Sequence, residues 1–107
     1  MKRYEIWWVK FDPAQGSEIA KTRPAVIVSL DVLNLRLDTI TVCPLTSSIH
    51  PQWRSRIQIT CAGKPAEIAV DQIRTISKLR LVKKLGALKS GEVTALRRLI
   101  TEMYGEG

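Results

Sequence analysis

The stretch Pro24-Ala25-Val26-Ile27-Val28-Ser29-Leu30 decides how the rest of the chain is read. It is apolar at nearly every position and shows no alternation, the pattern of a central strand covered on both faces. On its N-terminal side, Tyr4 to Phe11 is rich in aromatic and β-branched residues, with Trp7, Val9 and Phe11 on one face and Ile6 and Trp8 on the other. Asp12-Pro13 ends that strand, because proline removes a ladder donor and restricts the residue before it. Residues 14–23 lack periodicity and contain Gly16-Ser17, which predicts a long loop.

On the C-terminal side, Asp31 to Asp38 suits a helical turn with Asp31 as N-cap. Thr39 to Leu45 alternates, setting Ile40, Val42 and Pro44 on one side, and Thr46 to Trp53 reads as a polar loop. Arg54 to Cys61 alternates again, with Ile57 and Ile59 inward and Arg56, Gln58 and Thr60 outward. Ala62-Gly63-Lys64-Pro65 is a turn, Glu67 to Ile76 is strand-like, and Leu79 to Leu88 fits a short turn followed by a strand. Val93, Leu96, Leu99, Ile100 and Met103 then recur at helical spacing, with Ser90 as N-cap, Glu92 in the first turn and Gly105 as the C′ residue. About five strands and one C-terminal helix predict a mainly β, α+β chain, a compact and partly closed antiparallel barrel.

The 107 residues suit a single domain spanning 1–107. A chain of this size cannot enclose a deep cavity, so a functional site is a surface cleft or lies between chains. Seventeen Lys and Arg against ten Asp and Glu give a net charge of +7. Such a charge calls for an anionic partner, with nucleic acid first, acidic protein second and membrane surface third, or it serves only solubility. No run approaches the ~18–20 apolar residues of a membrane span. Lys2 and Arg3 are followed by Glu5, Lys10 and Asp12 rather than a clean apolar segment, so a cytoplasmic protein is expected. Cys43 and Cys61 fit neither metal-ligand spacing nor a disulfide framework and read as buried small hydrophobes, with a bridge between them left open.

The sequence holds no P-loop, dinucleotide glycine pattern, Cys/His cluster or G-x-S-x-G, so neither cofactor nor metal is expected. His50 is the only histidine and reads as a solvated loop group. The loop before Pro24 carries Glu18, Lys21 and Arg23. Pro24 pushes Arg23 toward extended backbone, which fixes a guanidinium at the start of a buried strand. A plain ion pair between Arg23 and Glu18 is the alternative. Thr46, Ser47 and Ser48 place three hydroxyls just past a strand end, suited to phosphate or to ordinary turn chemistry. Arg74, Lys78, Arg80, Lys83, Lys84 and Lys89 lie in a stretch without acids, either a phosphate-tracking face or a charged edge that discourages strand pairing. Trp7 and Trp8 read as core or dimer contacts, and Trp53, beside Arg54 and Arg56, as the base-stacking candidate.

Ile6-Trp7-Trp8-Val9, Phe11-Asp12-Pro13, Gly16-Ser17-Glu18 and Thr22-Arg23-Pro24-Ala25-Val26 together resemble the N-terminal signature of the MazF/PemK toxins. Pro44-Leu45-Thr46-Ser47, Asp71-Gln72-Ile73-Arg74-Thr75-Ile76 and the final helix resemble later parts of that family, in order and at compatible spacing. The resemblance implies a small SH3-like barrel of the PemK/CcdB type with a C-terminal helix, acting as a homodimer. It implies sequence-selective, metal-independent cleavage of single-stranded RNA such as mRNA, restrained by a cognate antitoxin with an acidic, poorly ordered segment. Arg23 matches the family's catalytic arginine and Thr46 its catalytic threonine, with Ser47 beside it. Glu18 matches a functional loop acid, next to Lys21. Gln72 and Arg74 fall in the RNA-contacting segment, which Lys78 and Arg80 extend. The general base stays open. Two alternatives remain: a CcdB-like gyrase poison, whose C-terminal Trp-Gly-Ile is poorly matched by Tyr104-Gly105-Glu106-Gly107, and a noncatalytic basic barrel that binds RNA or an acidic protein.

Overall fold

The computed structural model describes residues 1–11 and 21–105. Its strands are β1 (Glu5–Lys10), β2 (Thr22–Ile27), β3 (Thr39–Thr46), β4 (Arg56–Cys61), β5 (Lys64–Ala69), β6 (Arg74–Ser77) and β7 (Leu81–Ala87). Helix α1 (Asp31–Arg36) lies between β2 and β3, and α2 (Ser90–Tyr104) ends the chain. The strand-like stretch from Glu67 to Ile76 is broken in two by a 3-10 turn at Val70–Gln72. A second such turn, Lys78–Arg80, precedes β7 as expected.

All pairings are antiparallel, in the order β4-β5-β3-β2-β1-β7, with β6 also on β3. β3 is the strand that curls the sheet. Its first half pairs with β6, its middle with β2, and its last two residues, Leu45 and Thr46, with β5. One strand shared between partners in this way bends the sheet into a half-closed barrel.

The apolar run of β2 is buried on both faces, as its lack of alternation predicts. Val26 and Val28 join Ile6, Cys43, Leu45, Ile59, Ile68, Val70 and Leu96 in one core. Ala25 and Ile27 join Val9, Phe11, Ile40, Val42 and Ile76 in the other. Helix α2 covers the first core, burying Leu96 completely and packing Leu99, Ile100 and Met103 against it.

The helix ends differ in detail from expectation. Leu30, not Asp31, is the N-cap residue of α1, and Asp31 Oδ1 instead accepts the Arg3 N–H at 2.7 Å. Lys89, not Ser90, caps α2, and Glu92 Oε1 accepts its N–H at 2.8 Å. Gly105 has φ −79°, so no left-handed turn explains it. A Cβ there would lie 2.5 Å from the Thr101 carbonyl oxygen, and this close approach selects glycine. The turn between β4 and β5 is only Ala62-Gly63, both at positive φ (52° and 77°), so Lys64 and Pro65 belong to β5.

Candidate active site

Arg23 sits at the start of β2, paired with Val9 of β1. The Phe11 N–H donates to the Lys21 carbonyl at 2.9 Å, closing the base of the segment between β1 and β2. The β2–β3 ladder pairs Ala25 with Pro44. The ladder ends at that pair; one residue on, Leu45 and then Thr46 pair with Ile68 and Glu67 instead, where β3 leaves β2 for β5. The divergence opens a groove of about 610 Å³, lined by Lys21, Arg23, Thr46 and Ser47 over a mainly apolar floor that includes Trp8, Pro24 and Leu45. Thr46 Oγ1 accepts the Ser48 N–H at 3.1 Å. That contact occupies an acceptor site and leaves the hydroxyl hydrogen to donate. Trp8 therefore faces the groove rather than a core, whereas Trp7 packs on the second core and donates Nε1–H to Glu5 at 3.0 Å.

The other expected site residues lie elsewhere. Glu18 falls outside the described residues. Gln72 and Arg74 line a separate cleft of about 220 Å³ with Asp71 and Ile73, and the Arg74 guanidinium lies over the Phe11 ring, 4.2 Å from its centroid. Arg80 donates from Nη1 to the Lys10 carbonyl at 3.2 Å. Lys78 lies in the turn before Leu81, its N–H donating to the Asp38 carbonyl at 3.0 Å. Within one chain, Arg74 and Arg80 thus gather at the end of β1 rather than in the Arg23–Thr46 groove. The cysteines are both free; Cys43 is buried, and burial pushes its thiol up to about 12, while half-buried Cys61 lines the groove.

Strand alternation misplaces Arg56. Its side chain is 5% exposed, not outward, and its partner is a residue the sequence reading passed over. Glu67 is fully buried, and its carboxylate gathers four donors from two neighbouring segments. Oε1 accepts the His50 N–H at 2.6 Å and Gln58 Nε2 at 2.8 Å. Oε2 accepts Arg56 Nη1 at 2.8 Å and lies 3.1 Å from His50 Nδ1. Burial alone would raise its pKa; the donations from His50, Arg56 and Gln58 outweigh that and hold it at about 2. The available signal was a lone acid inside the apolar run Ala66 to Val70. His50 is accordingly half-buried and tied down, not solvated. Its ring stacks on Trp53 at 3.8 Å, and the Arg56 guanidinium lies 4.6 Å from the Trp53 ring centroid. Arg54 is engaged at the surface by Glu102, at 2.6 Å. The cations expected to help Trp53 stack on a base therefore have protein partners.

Among the described residues no cluster of three or more His, Cys, Asp or Glu gathers as a metal site, and no helix is long and apolar enough to cross a membrane. A family model described as a PemK-like, MazF-like toxin of a type II toxin-antitoxin system matches residues 2–104. The endoribonuclease MazF9 of Mycobacterium tuberculosis is 35% identical, over 90% of this chain and 89% of its own. The crystal structure of MazF from Deinococcus radiodurans superposes with a TM-score of 0.86 at 19% identity, covering 99% of this chain and 97% of that one. A mycobacterial endoribonuclease solved in complex with its cognate antitoxin gives a TM-score of 0.84 at 15% identity, covering 100% and 97%. At these identities the two structures speak for the fold.

Proposed function

The chain belongs to the PemK-like, MazF-like toxins of type II toxin-antitoxin systems, and from that premise we propose that it is an endoribonuclease that cleaves single-stranded RNA at selected sequences in the Arg23–Thr46 groove, as a single-domain cytoplasmic toxin. The observation that carries this is that Arg23 and Thr46 line one groove, opened where β3 leaves β2 for β5.

RNA brings its own nucleophile, the 2′-OH, which DNA lacks. Its oxygen attacks the adjacent phosphorus, the bond from phosphorus to the 5′-oxygen breaks, and a 2′,3′-cyclic phosphate and a 5′-OH result. The 2′-OH loses one proton and the leaving oxygen gains one, so the balance needs no water. Negative charge grows on the phosphoryl oxygens. A fixed guanidinium meets it with two parallel N–H donors, the role assigned to Arg23, without calling on a metal ion. Thr46 donates its hydroxyl hydrogen to the same phosphate, with Ser47 beside it. Arginine and threonine are poor bases, so alignment of the 2′-OH with phosphorus supplies much of the rate. Lys21 meets the RNA backbone at the groove. Gln72, Arg74, Lys78 and Arg80 extend the RNA surface only if a second chain brings them beside it.

A homodimer is part of the proposal. Leu30, Val32, Leu33, Leu35 and Leu37 in and around α1 are exposed, Leu35 by 84%. Leu79, 94% exposed, belongs to the turn that hydrogen-bonds to Asp38 just past α1. An apolar patch of this kind on a charged protein calls for a cover, and a second copy is the simplest one. The net charge of +7 suits both RNA and an acidic cognate antitoxin that competes with it.

The test is incubation of the purified chain with a long single-stranded RNA in EDTA, beside Arg23→Ala and Thr46→Ala. Wild type alone should cut, leaving cyclic-phosphate ends. RNA bound but uncut would point to a noncatalytic binding barrel.

A further inference from the structure

We propose that Glu67 is a positioning residue for the cleavage reaction: from the strand paired with Thr46, its buried carboxylate fixes the segment that follows Thr46 and so holds the Thr46 and Ser47 hydroxyls in the groove they share with Arg23. The inference rests on the assignment of the Arg23–Thr46 groove as the cleavage site.

Thr46 is the last residue of β3, and Glu67 is its ladder partner on β5. Cross-strand partners point to one face, with Cβ atoms about 4.5–5.5 Å apart. Thr46 therefore stands beside a carboxylate with four donors around it. Past Thr46 the chain leaves the sheet and returns to it only at Arg56. Its far end is tied by the Val70 N–H to the Ser55 carbonyl at 3.1 Å and by Arg54 to Glu102. Its middle is tied by Glu67, which takes both the backbone N–H and the ring Nδ1 of His50. Trp53 continues the arrangement, since its N–H donates to the His50 carbonyl at 3.0 Å and its ring stacks on the imidazole. Without Glu67, the middle of the segment would lose its tie to the sheet and be held only at its two ends.

The chemistry of the carboxylate argues against a proton-transfer role. A carboxylate offers about four lone-pair sites. Four donors fill them, two on each oxygen. No site is left to take a proton from RNA, and a group ionised down to about pH 2 has none to give. Because a carboxylate only accepts, the 3.1 Å contact requires the hydrogen of His50 on Nδ1. What Glu67 needs from residue 50 is thus one side-chain N–H, which an asparagine amide also supplies.

The experiment measures kcat, KM and thermal unfolding for wild type, Glu67→Gln, His50→Ala, His50→Asn and Arg23→Ala on one single-stranded RNA substrate. Glu67→Gln alters a buried group and risks the fold, so the half-exposed His50 variants carry the decision. Misplacing a reacting group by about 1 Å costs about 100-fold in rate. His50→Ala should therefore lose kcat on that scale with KM and unfolding nearly unchanged, and His50→Asn should recover most of it. If His50→Ala keeps wild-type kcat, the ring contact positions nothing, and a folded Glu67→Gln that keeps it as well removes the positioning role altogether. If His50→Asn is as slow as His50→Ala while equally folded, a side-chain N–H to Glu67 is not what residue 50 supplies, and the positioning role is wrong. A wild type inert toward RNA, or an Arg23→Ala variant that cuts normally, instead overturns the assignment of the groove and this inference with it.

Discussion

Arg56 and Glu67 form a buried ion pair, Nη1 to Oε2 at 2.8 Å, with 5% and 0% of their side chains exposed. Arg56 also donates from Nε to Asp71 Oδ1 at 2.7 Å, so one guanidinium bridges β5 and the turn that follows it. Taking one partner from a buried pair strands the other charge, at a cost of about 3–5 kcal/mol. Arg56→Met should lose stability on that scale in urea unfolding. Arg54→Ala, which breaks the exposed pair with Glu102, should lose less than about 1 kcal/mol. Equal midpoints for the two variants would mean that the buried pair contributes no more than the surface one.

Stability should also fall at acid pH. The Glu67 carboxyl titrates at about 2 in the folded chain against an ordinary 4.5. Burial works against this shift and hydrogen bonding produces it. A carboxylate depressed by folding adds stability above its unfolded pKa and loses it as pH drops through the folded one. The loss should therefore run from about pH 4.5 down to about pH 2. Glu5 adds to it over the same range: burial opposes its shift, but the Lys2 N–H, the Trp7 indole and Lys84 hold it at about 2. Denaturation midpoints measured from pH 7 to pH 2 should decline for wild type. They should decline less steeply for Glu5→Gln, whose side chain is nearer the surface than that of Glu67. Parallel curves would mean that Glu5 is not linked to folding.

The contrast between Arg23 and Arg56 shows what was legible in the sequence. Arg23 stands before a proline and a long apolar strand, so its place at a strand start follows from neighbours in the chain. The double burial of β2 and the helical stripe ending at Met103 were legible for the same reason. Arg56 lies on an alternating strand whose polar face should meet solvent. It is covered because Glu67, eleven residues away, and Asp71 close over it. His50 has the same history, since its role comes from an acid seventeen residues on. Local periodicity carries no information about such pairings. The break of the Glu67–Ile76 stretch at Val70–Gln72 was hidden too, because neither glycine nor proline marks it.

The β4–β5 hairpin is under-optimised. Its two-residue turn needs positive φ at both positions, and Ala62 takes φ 52° there. Asparagine and glycine favour this geometry, and alanine does not. Ala62→Asn should raise the stability of the protein by about 0.5–1 kcal/mol, and Gly63→Ala, at φ 77°, should lower it by about 1 kcal/mol. Thermal unfolding of the two variants should move in opposite directions; a shift of the same sign would mean that the turn does not keep this conformation in solution.

The exposed apolar residues around α1 give the assembly a direct check. α1 is only six residues long, and its buried residue is Asn34, not a leucine. The Asn34 amide knits α1 to the preceding chain, donating to the Ser29 carbonyl at 3.0 Å and accepting from the Ser29 hydroxyl at 2.5 Å. The short helix is thus held by polar bonds on its inner side and turns its leucines outward, the reverse of what a monomer needs. Leu35→Glu places a charge in the middle of that surface without touching either core. Light scattering should report a dimer for wild type and a monomer for the variant, with melting lowered at equal concentration because dimerisation stabilises the folded chain. RNA cleavage should fall in step with the monomer fraction and recover as concentration rises if, as proposed, the second chain brings Gln72, Arg74, Lys78 and Arg80 beside the groove. A variant that stays dimeric would place the interface elsewhere. A monomer of full activity would confine the site to the Arg23–Thr46 groove of one chain.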